Sequence, residues 1–541
     1  MPIFARDRAL EALVEETFDV VVLGAGMTGA GVALDAATRG LSVALIDASD
    51  FAAGTSSKSS KMVHGGLRYL QQREFRLVYE NLRERQRLLH NAPYLVRPLP
   101  FLIPLMATNA LAGRALMRGY ASALRLYDLS GGWKIGQRHR RISADEALAH
   151  LPQLRPDYLQ GAFIYMDARG DDARVALTLA RSAVERGAWA ANYVRAVGFA
   201  RDHVGRVCAV SARDELSGAA LSIQTRCVVN ATGVWADQIL ALGDHVDGHV
   251  IVPAKGVHLS VRRERLAADV AAVLSVPGDR RSIFLVPFED GPYTFIGTTD
   301  TAYEGELNDP ECEPQDVAYL LKAVNTATSS DLTPDDVTGV WAGLRPLLRP
   351  RQGERLSERT ADLSRRHRVS DLGAGIVQVT GGKWTTYRQM AQDAVDALSP
   401  YVGHLGPTRT KDLSLHGVST WRPHGEFETH LYQRFGDDAR AVLDLIEQDQ
   451  SLAQRPITGL DYVLGEFVYS AREEMTHSLI DLLTRRTRAH LIDARASLAG
   501  ASRVAQAVAP VLGWSDAHLE AEVAAYRGLV LKEFAAAGLV L

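Results

Sequence analysis

The segment Thr55-Ser-Ser-Lys-Ser-Ser-Lys-Met-Val-His-Gly-Gly-Leu-Arg-Tyr-Leu70 crowds hydroxyls, two lysines, an imidazole, paired glycines and an arginine together. Hydroxyl and amide groups bind phosphate and carbonyl oxygens, and neighbouring cations strengthen those bonds. The mixture suits a bound anionic cofactor beside a redox centre. Met62, Val63, Leu67 and Leu70 interrupt the polar run, which argues against a solvated linker.

Upstream lies Gly24-Ala25-Gly26-Met27-Thr28-Gly29, between an apolar run and a helical pattern. In this dinucleotide fingerprint Gly24 permits the tight turn, Gly26 lets backbone approach a pyrophosphate, and Gly29 allows helix–strand packing. The helix start offers free N–H groups to phosphate. Asp47, at the end of the next strand, can accept from ribose hydroxyls. Two further glycine turns, Ala231-Thr232-Gly233 and Gly381-Gly382-Lys383 running to Thr385, follow buried strands far along the chain. A nicotinamide domain completes its site within one contiguous half. A flavin ring, held far from its adenine, needs distant segments to converge on it. Lys383 at a helix start would favour negative charge on a reduced flavin.

These groups need elements to position them. Phe18 to Leu23 reads as a buried strand, Met27 to Arg39 as a helix stopped by Gly40, and Ser42 to Ile46 as a second strand. Gln72 to His90 reads as a helix with Phe75, Val78, Leu82 and Leu89 on one face. Asp171 to Gly187 is another helix, and Thr385 to Leu398 a third. Cys227 to Asn230 and Ile376 to Thr380 are buried strands. Ser282–Phe288 and Tyr293–Thr299 flank Asp290-Gly291, a hairpin signal. Gly403 to Lys411 reads as a linker, with helices beyond. The expected fold is α/β: a Rossmann-type nucleotide domain interleaved with an antiparallel substrate sheet over residues 1–410, the sheet mainly at about 245–350, and a helical C-terminal domain over 411–541.

With 541 residues, 47% hydrophobic and 23% charged, the chain has the composition of a globular protein of two or three domains. A net charge of -4 gives no case for nucleic acid binding. Cys208, Cys227 and Cys312 form no close set, which argues against disulfides, bound metal or an iron–sulfur cluster. The charged N-terminus is not that of a signal peptide, and no run reaches the roughly 18 apolar residues of a spanning helix.

The chain resembles the FAD-dependent glycerol-3-phosphate dehydrogenase family, within the D-amino-acid-oxidase-like flavoproteins, from Phe18 to about Arg495. The resemblance rests on Thr55-Ser-Ser, Ser60-Lys61, His64-Gly-Gly-Leu-Arg-Tyr69, Ala231-Thr-Gly233, Lys255-Gly-Val-His258, Gly297-Thr-Thr-Asp300, Gly343-Leu-Arg-Pro-Leu347, Gly381-Gly-Lys383 and Arg485-Arg-Thr-Arg488. It implies that Thr55, Ser56, Ser60, Lys61, His64, Gly65, Gly66 and Leu67 line FAD. It implies that Arg68, Tyr69, His258, Arg345, Arg359 and Lys383 face sn-glycerol 3-phosphate, with Arg68, His258, Arg345 and Lys383 catalytic. The chemistry agrees: phosphate needs fixed guanidinium charge, and a hydroxyl proton needs a base such as His258.

Anaerobic relatives carry C-terminal cysteines, and oxygen-using oxidases a long central insertion; this chain has neither. The resemblance therefore implies an aerobic enzyme passing electrons to a membrane quinone, cytoplasmic and peripheral on the inner face of the membrane, and a homodimer is expected. Asn109 to Asp128 fits an interfacial helix, with Arg114, Arg118 and Arg125 in one arc and Leu116, Met117, Tyr120, Leu124 and Tyr127 opposite. The rival readings are a glycerol-3-phosphate oxidase using oxygen and a non-catalytic flavin-binding sensor or scaffold.

Overall fold

In the computed structural model, which describes residues 2–71, 74–243, 250–276, 279, 281–349 and 366–541, the apolar runs pair into two sheets. Thr17–Leu23, nearly all buried, is central to the first because its branched side chains pack on both faces. It pairs parallel with Val43–Ile46 on one side and Ala220–Asn230 on the other, and Ile376–Gly381 continues the parallel set. Leu23, Asn230 and Gly381 thus end their strands at one edge, where all three glycine turns emerge. That edge is where ligands bind in sheets of this kind. Helices Met27–Thr38, Asp172–Glu185 and Tyr387–Asp396 cover one face.

The second, larger sheet is mostly antiparallel. Ile251–Arg262 lies between Tyr293–Gly297 and Val337–Leu348, and Ser282–Pro287 pairs with Tyr293–Gly297 as the expected hairpin. The sheet also takes Met62–Val63, Val96–Met106, Arg140–Ile142 and Leu159–Gly170, so it starts well before residue 245. Three prolines in Val96–Met106 hid that strand from the sequence pattern.

Two helices differ from expectation in which face they bury. Phe75–Asn91 buries Leu77, Val78, Leu82 and Leu88, whereas Phe75 faces solvent. Ala110–Leu129 has its arginines exposed, as expected, but Leu124 and Tyr127 are buried against the core and Met117 and Tyr120 are half-buried against it. Leu116, opposite the arginines, is exposed, as are Leu111, Leu126 and Leu129.

From Gly425–Phe435 to Asp516–Ala536 the chain is helical. The motif Arg485 to Arg488 fastens this part to both sheets. Arg486 grips Asp50 through two bonds of 2.7 Å, Arg485 Nε adds a third at 2.6 Å, and Arg488 reaches Asp171 at 3.1 Å and Asp290 at 2.8 Å. The hairpin turn at Asp290 is therefore buried. Burial alone would raise the Asp50 carboxyl, but Arg486 and Arg485 hold it well below the usual carboxylate range. Its contribution is present above the unfolded pKa near about 4 and is lost as pH falls through the lower folded value. Asp50→Asn leaves two buried guanidiniums undercompensated and should cost about 3–5 kcal/mol. Urea denaturation at neutral pH checks this; a midpoint equal to wild type would show that the cluster does not hold the domains together.

Candidate active site

Where the two sheets meet, a cavity of about 540 Å³ runs from the first glycine turn to the second sheet. At one end lie Gly24, Gly26, Met27, Thr28 and Asp47. Gly24, at φ +95°, packs against Ala231, so the first two glycine turns touch. A side chain on Gly29 would collide with the Gly24 carbonyl, so Gly29 serves packing and does not line the cavity. Ala25 is likewise buried outside it, donating its N–H to Asp47 Oδ2 at 2.6 Å. Burial pushes the Asp47 carboxyl up to about 6, opposed by the N–H groups of Ser49 and Ala25.

The Thr55–Leu70 segment forms the middle wall. Thr55 Oγ1 donates to Leu344 O at 2.6 Å, and Gly343 leaves room for Lys58 O, which tie the loop to the Arg345 strand. Ser56 Oγ accepts from Met27 N at 2.9 Å and thereby joins the loop to the helix start. Ser60, His64, Gly66 and Leu67 line the cavity, as do Ala231, Thr232, Gly233, Gly382 and Thr385. Lys61 does not: its ammonium turns inward to Ser57 O at 2.9 Å and Asp172 at 3.0 Å. Gly65 sits behind the wall, its N–H donated to Tyr127 Oη at 3.0 Å and its carbonyl held by Asn81. Both were expected to line FAD; in the structure neither lines the cavity, and both brace the loop that does.

The far end holds the charged groups. Strand pairing sets His258 opposite Gly297 and Trp341. The imidazole stacks on Trp341 at 4.8 Å and 6°, and Gly297, lacking a side chain, leaves space for the ring. Its Nε2 lies 2.7 Å from Ser60 Oγ. Burial, then the charges of Arg345 and Lys61, hold His258 well below the ordinary histidine pKa, so it is neutral. His64 is held down by burial and by Lys383 and Arg85. Arg345 lies over Gly256, where any side chain would strike the guanidinium, and donates to Thr298 Oγ1 at 3.2 Å and Thr299 O at 3.1 Å. Lys383 sits 4.0 Å above the Tyr69 ring. The Arg68 side chain and Arg359 lie outside the described residues.

Sequence reasoning passed over Arg281 and Arg195 and gave no role to Asp300 of the Gly297–Asp300 motif, yet all three line the cavity. Arg281 donates to Asp300 O at 3.0 Å and directly precedes the hairpin strand that begins at Ser282. Arg195 enters from a strand with no motif at all.

The donor set fits a flavin dinucleotide: helix-start N–H groups and Asp47 for the diphosphate and ribose, hydroxyls along the middle, and Lys383 with the Gly381–Gly382 turn where negative charge would develop. Residues 19–388 match the family described as FAD dependent oxidoreductase, and residues 377–519 the C-terminal domain of alpha-glycerophosphate oxidase. The chain is 41% identical to glycerol-3-phosphate dehydrogenase 2 of Mycobacterium tuberculosis over 542 residues, 97% of this chain and 90% of that one. It is 33% identical to mitochondrial glycerol-3-phosphate dehydrogenase of Mus musculus, covering 94% of this chain and 72% of that one. Among solved structures it is similar to glycerol-3-phosphate dehydrogenase from Bacillus halodurans complexed with FAD, with a TM-score of 0.77, 29% identity and 97% and 96% of the chains covered.

Proposed function

Because the chain belongs to the FAD dependent oxidoreductase family, as an FAD-dependent glycerol-3-phosphate dehydrogenase, we propose roles for its residues in converting sn-glycerol 3-phosphate to dihydroxyacetone phosphate. One observation carries them: a single cavity joins the dinucleotide fingerprint to His258, Arg345 and Lys383. Bound FAD supplies the hydride acceptor. Arg345, braced by Thr298 and Thr299, presents its planar fork to the phosphate, a geometry lysine cannot offer. Lys383 adds positive charge at the same end. His258 Nε2, 2.7 Å from the Ser60 hydroxyl, takes the substrate's hydroxyl proton as the carbon gives up hydride. Burial and nearby cations keep the imidazole in its neutral form, the form able to take a proton.

Arg345→Met tests the phosphate role. Losing a charge-assisted contact should raise KM for glycerol 3-phosphate about ten- to a hundredfold, roughly 1.5–3 kcal/mol. Any rate with unphosphorylated glycerol should change far less. An unchanged KM would remove Arg345 from the phosphate site.

The electrons then pass to a membrane quinone, and the protein works at a lipid surface. The support is the helix Ala110–Leu129, whose exposed Leu111, Leu126 and Leu129 lie among exposed Arg114, Arg118 and Arg125. Apolar residues with interspersed cations suit the boundary of an anionic bilayer. No described helix is long and apolar enough to cross a membrane.

A further inference from the structure

A second, much smaller cavity lies where the larger sheet meets the helical C-terminal part. Its volume is about 30 Å³, room for a single ion or about two waters. No described residue lines both this cavity and the one that joins His258 to the dinucleotide fingerprint. Lys61, Arg97, Arg169, Arg174, Arg434 and Arg488 line it, against the carboxylates of Asp171, Glu289 and Asp290.

Most of these cations are neutralised within the protein. Asp172 meets Lys61 at 3.0 Å, Glu474 meets Arg174 at 2.7 Å, and Glu466 meets Arg434 at 2.6 Å. Arg488 takes Asp171 and Asp290. The sheet side is different. Arg97 and Arg169 stand directly opposite one another on adjacent antiparallel strands, a placement of like charges that a sheet disfavours. Both donate to one carboxylate, that of Glu289. Close by, Arg263 has no carboxylate partner among the described residues and donates to Phe288 O at 2.7 Å. Three guanidiniums thus share a single negative charge.

Donors are left over as well as charge. Arg97 Nε, Arg169 Nε and Arg434 Nη1 are buried with no hydrogen-bond acceptor among the described residues. Arg434 is only 4% exposed, and its Nη1 stands 3.9 Å from Asp290, beyond hydrogen-bond reach. Water in the cavity would accept from these donors yet leave the charge in place. A small anion answers both needs, because guanidinium N–H groups bond anions more strongly than neutral acceptors. The space is too small for the phosphorylated substrate.

We infer that this cavity is a binding site for a small inorganic anion of the size of chloride. The ion is held by Arg97 and Arg169 from the sheet and Arg434 from the helices, and so ties the two together.

The test is thermal unfolding of the flavin-loaded enzyme in potassium chloride against potassium gluconate at equal ionic strength, which removes general screening. The wild-type midpoint should rise with chloride and saturate, by about 2 °C at about a hundred times the chloride Kd. Arg97→Gln takes away one charge of the excess, and the chloride-dependent rise should vanish whatever the variant's midpoint in gluconate. The same midpoint for the wild type in both salts would overturn the site. A rise of wild-type size in the variant would place the ion elsewhere, such as at Arg345, and would overturn it too. If Arg97→Gln does not fold, crystals of the wild-type holoenzyme soaked in potassium bromide decide. An anomalous peak in contact with the Arg97, Arg169 and Arg434 nitrogens supports the site, and a cavity holding only water refutes it.

Discussion

His258→Ala should slow anaerobic reduction of the bound flavin by glycerol 3-phosphate about 10²–10⁴-fold, the span of general-base loss, while flavin content stays at the wild-type level. The expectation rests on an imidazole stacked against Trp341, hydrogen-bonded to Ser60 and kept neutral. Burial and the charges of Arg345 and Lys61 disfavour the protonated ring, so the base form persists below the ordinary histidine pKa of about 6.5. The rate should therefore hold as pH falls past that value and decline only at lower pH. In His258→Ala this limb should vanish, leaving at most the ionisation of the substrate phosphate near about 6. Stopped-flow reduction separates this step from any quinone or membrane defect, since no acceptor is present. Wild-type reduction by the variant would move the base elsewhere, with His64 the next residue to test.

Gly26→Val should yield colourless protein. A Cβ at Gly26 would stand 3.0 Å from Ser56 Oγ, and the valine methyls would occupy the space through which a pyrophosphate approaches the helix start. Ser56 cannot move far, because its hydroxyl accepts from Met27 N and its loop is tied to the Arg345 strand through Thr55. Gel filtration followed by an absorbance scan reads the result directly. A full flavin spectrum retained by the variant would place the pyrophosphate elsewhere.

Much of this was legible in the sequence because its signals are local. The glycine turns follow buried strands, and Asp290-Gly291 sits between two alternating runs. Ser60, His258, Arg345 and Lys383, which the family resemblance marked, do converge on one cavity. What stayed hidden depends on direction. Lys61 is adjacent to Ser60 yet points inward to Asp172, its backbone turned into the left-handed region at φ 55°, a local turn that residue spacing does not signal. Gly65 and Gly66 look equivalent in sequence, but one packs beneath Leu82 and Tyr127 and the other beneath Tyr69 and Lys383.

The central claim is that this cavity oxidises glycerol 3-phosphate at a bound flavin. It is tested most directly by adding glycerol 3-phosphate to the purified yellow protein without oxygen. The flavin absorbance should bleach as dihydroxyacetone phosphate appears in proportion to the flavin reduced, while glycerol leaves the solution yellow. A flavin that remains oxidised under glycerol 3-phosphate, in protein still reducible by dithionite, would contradict it.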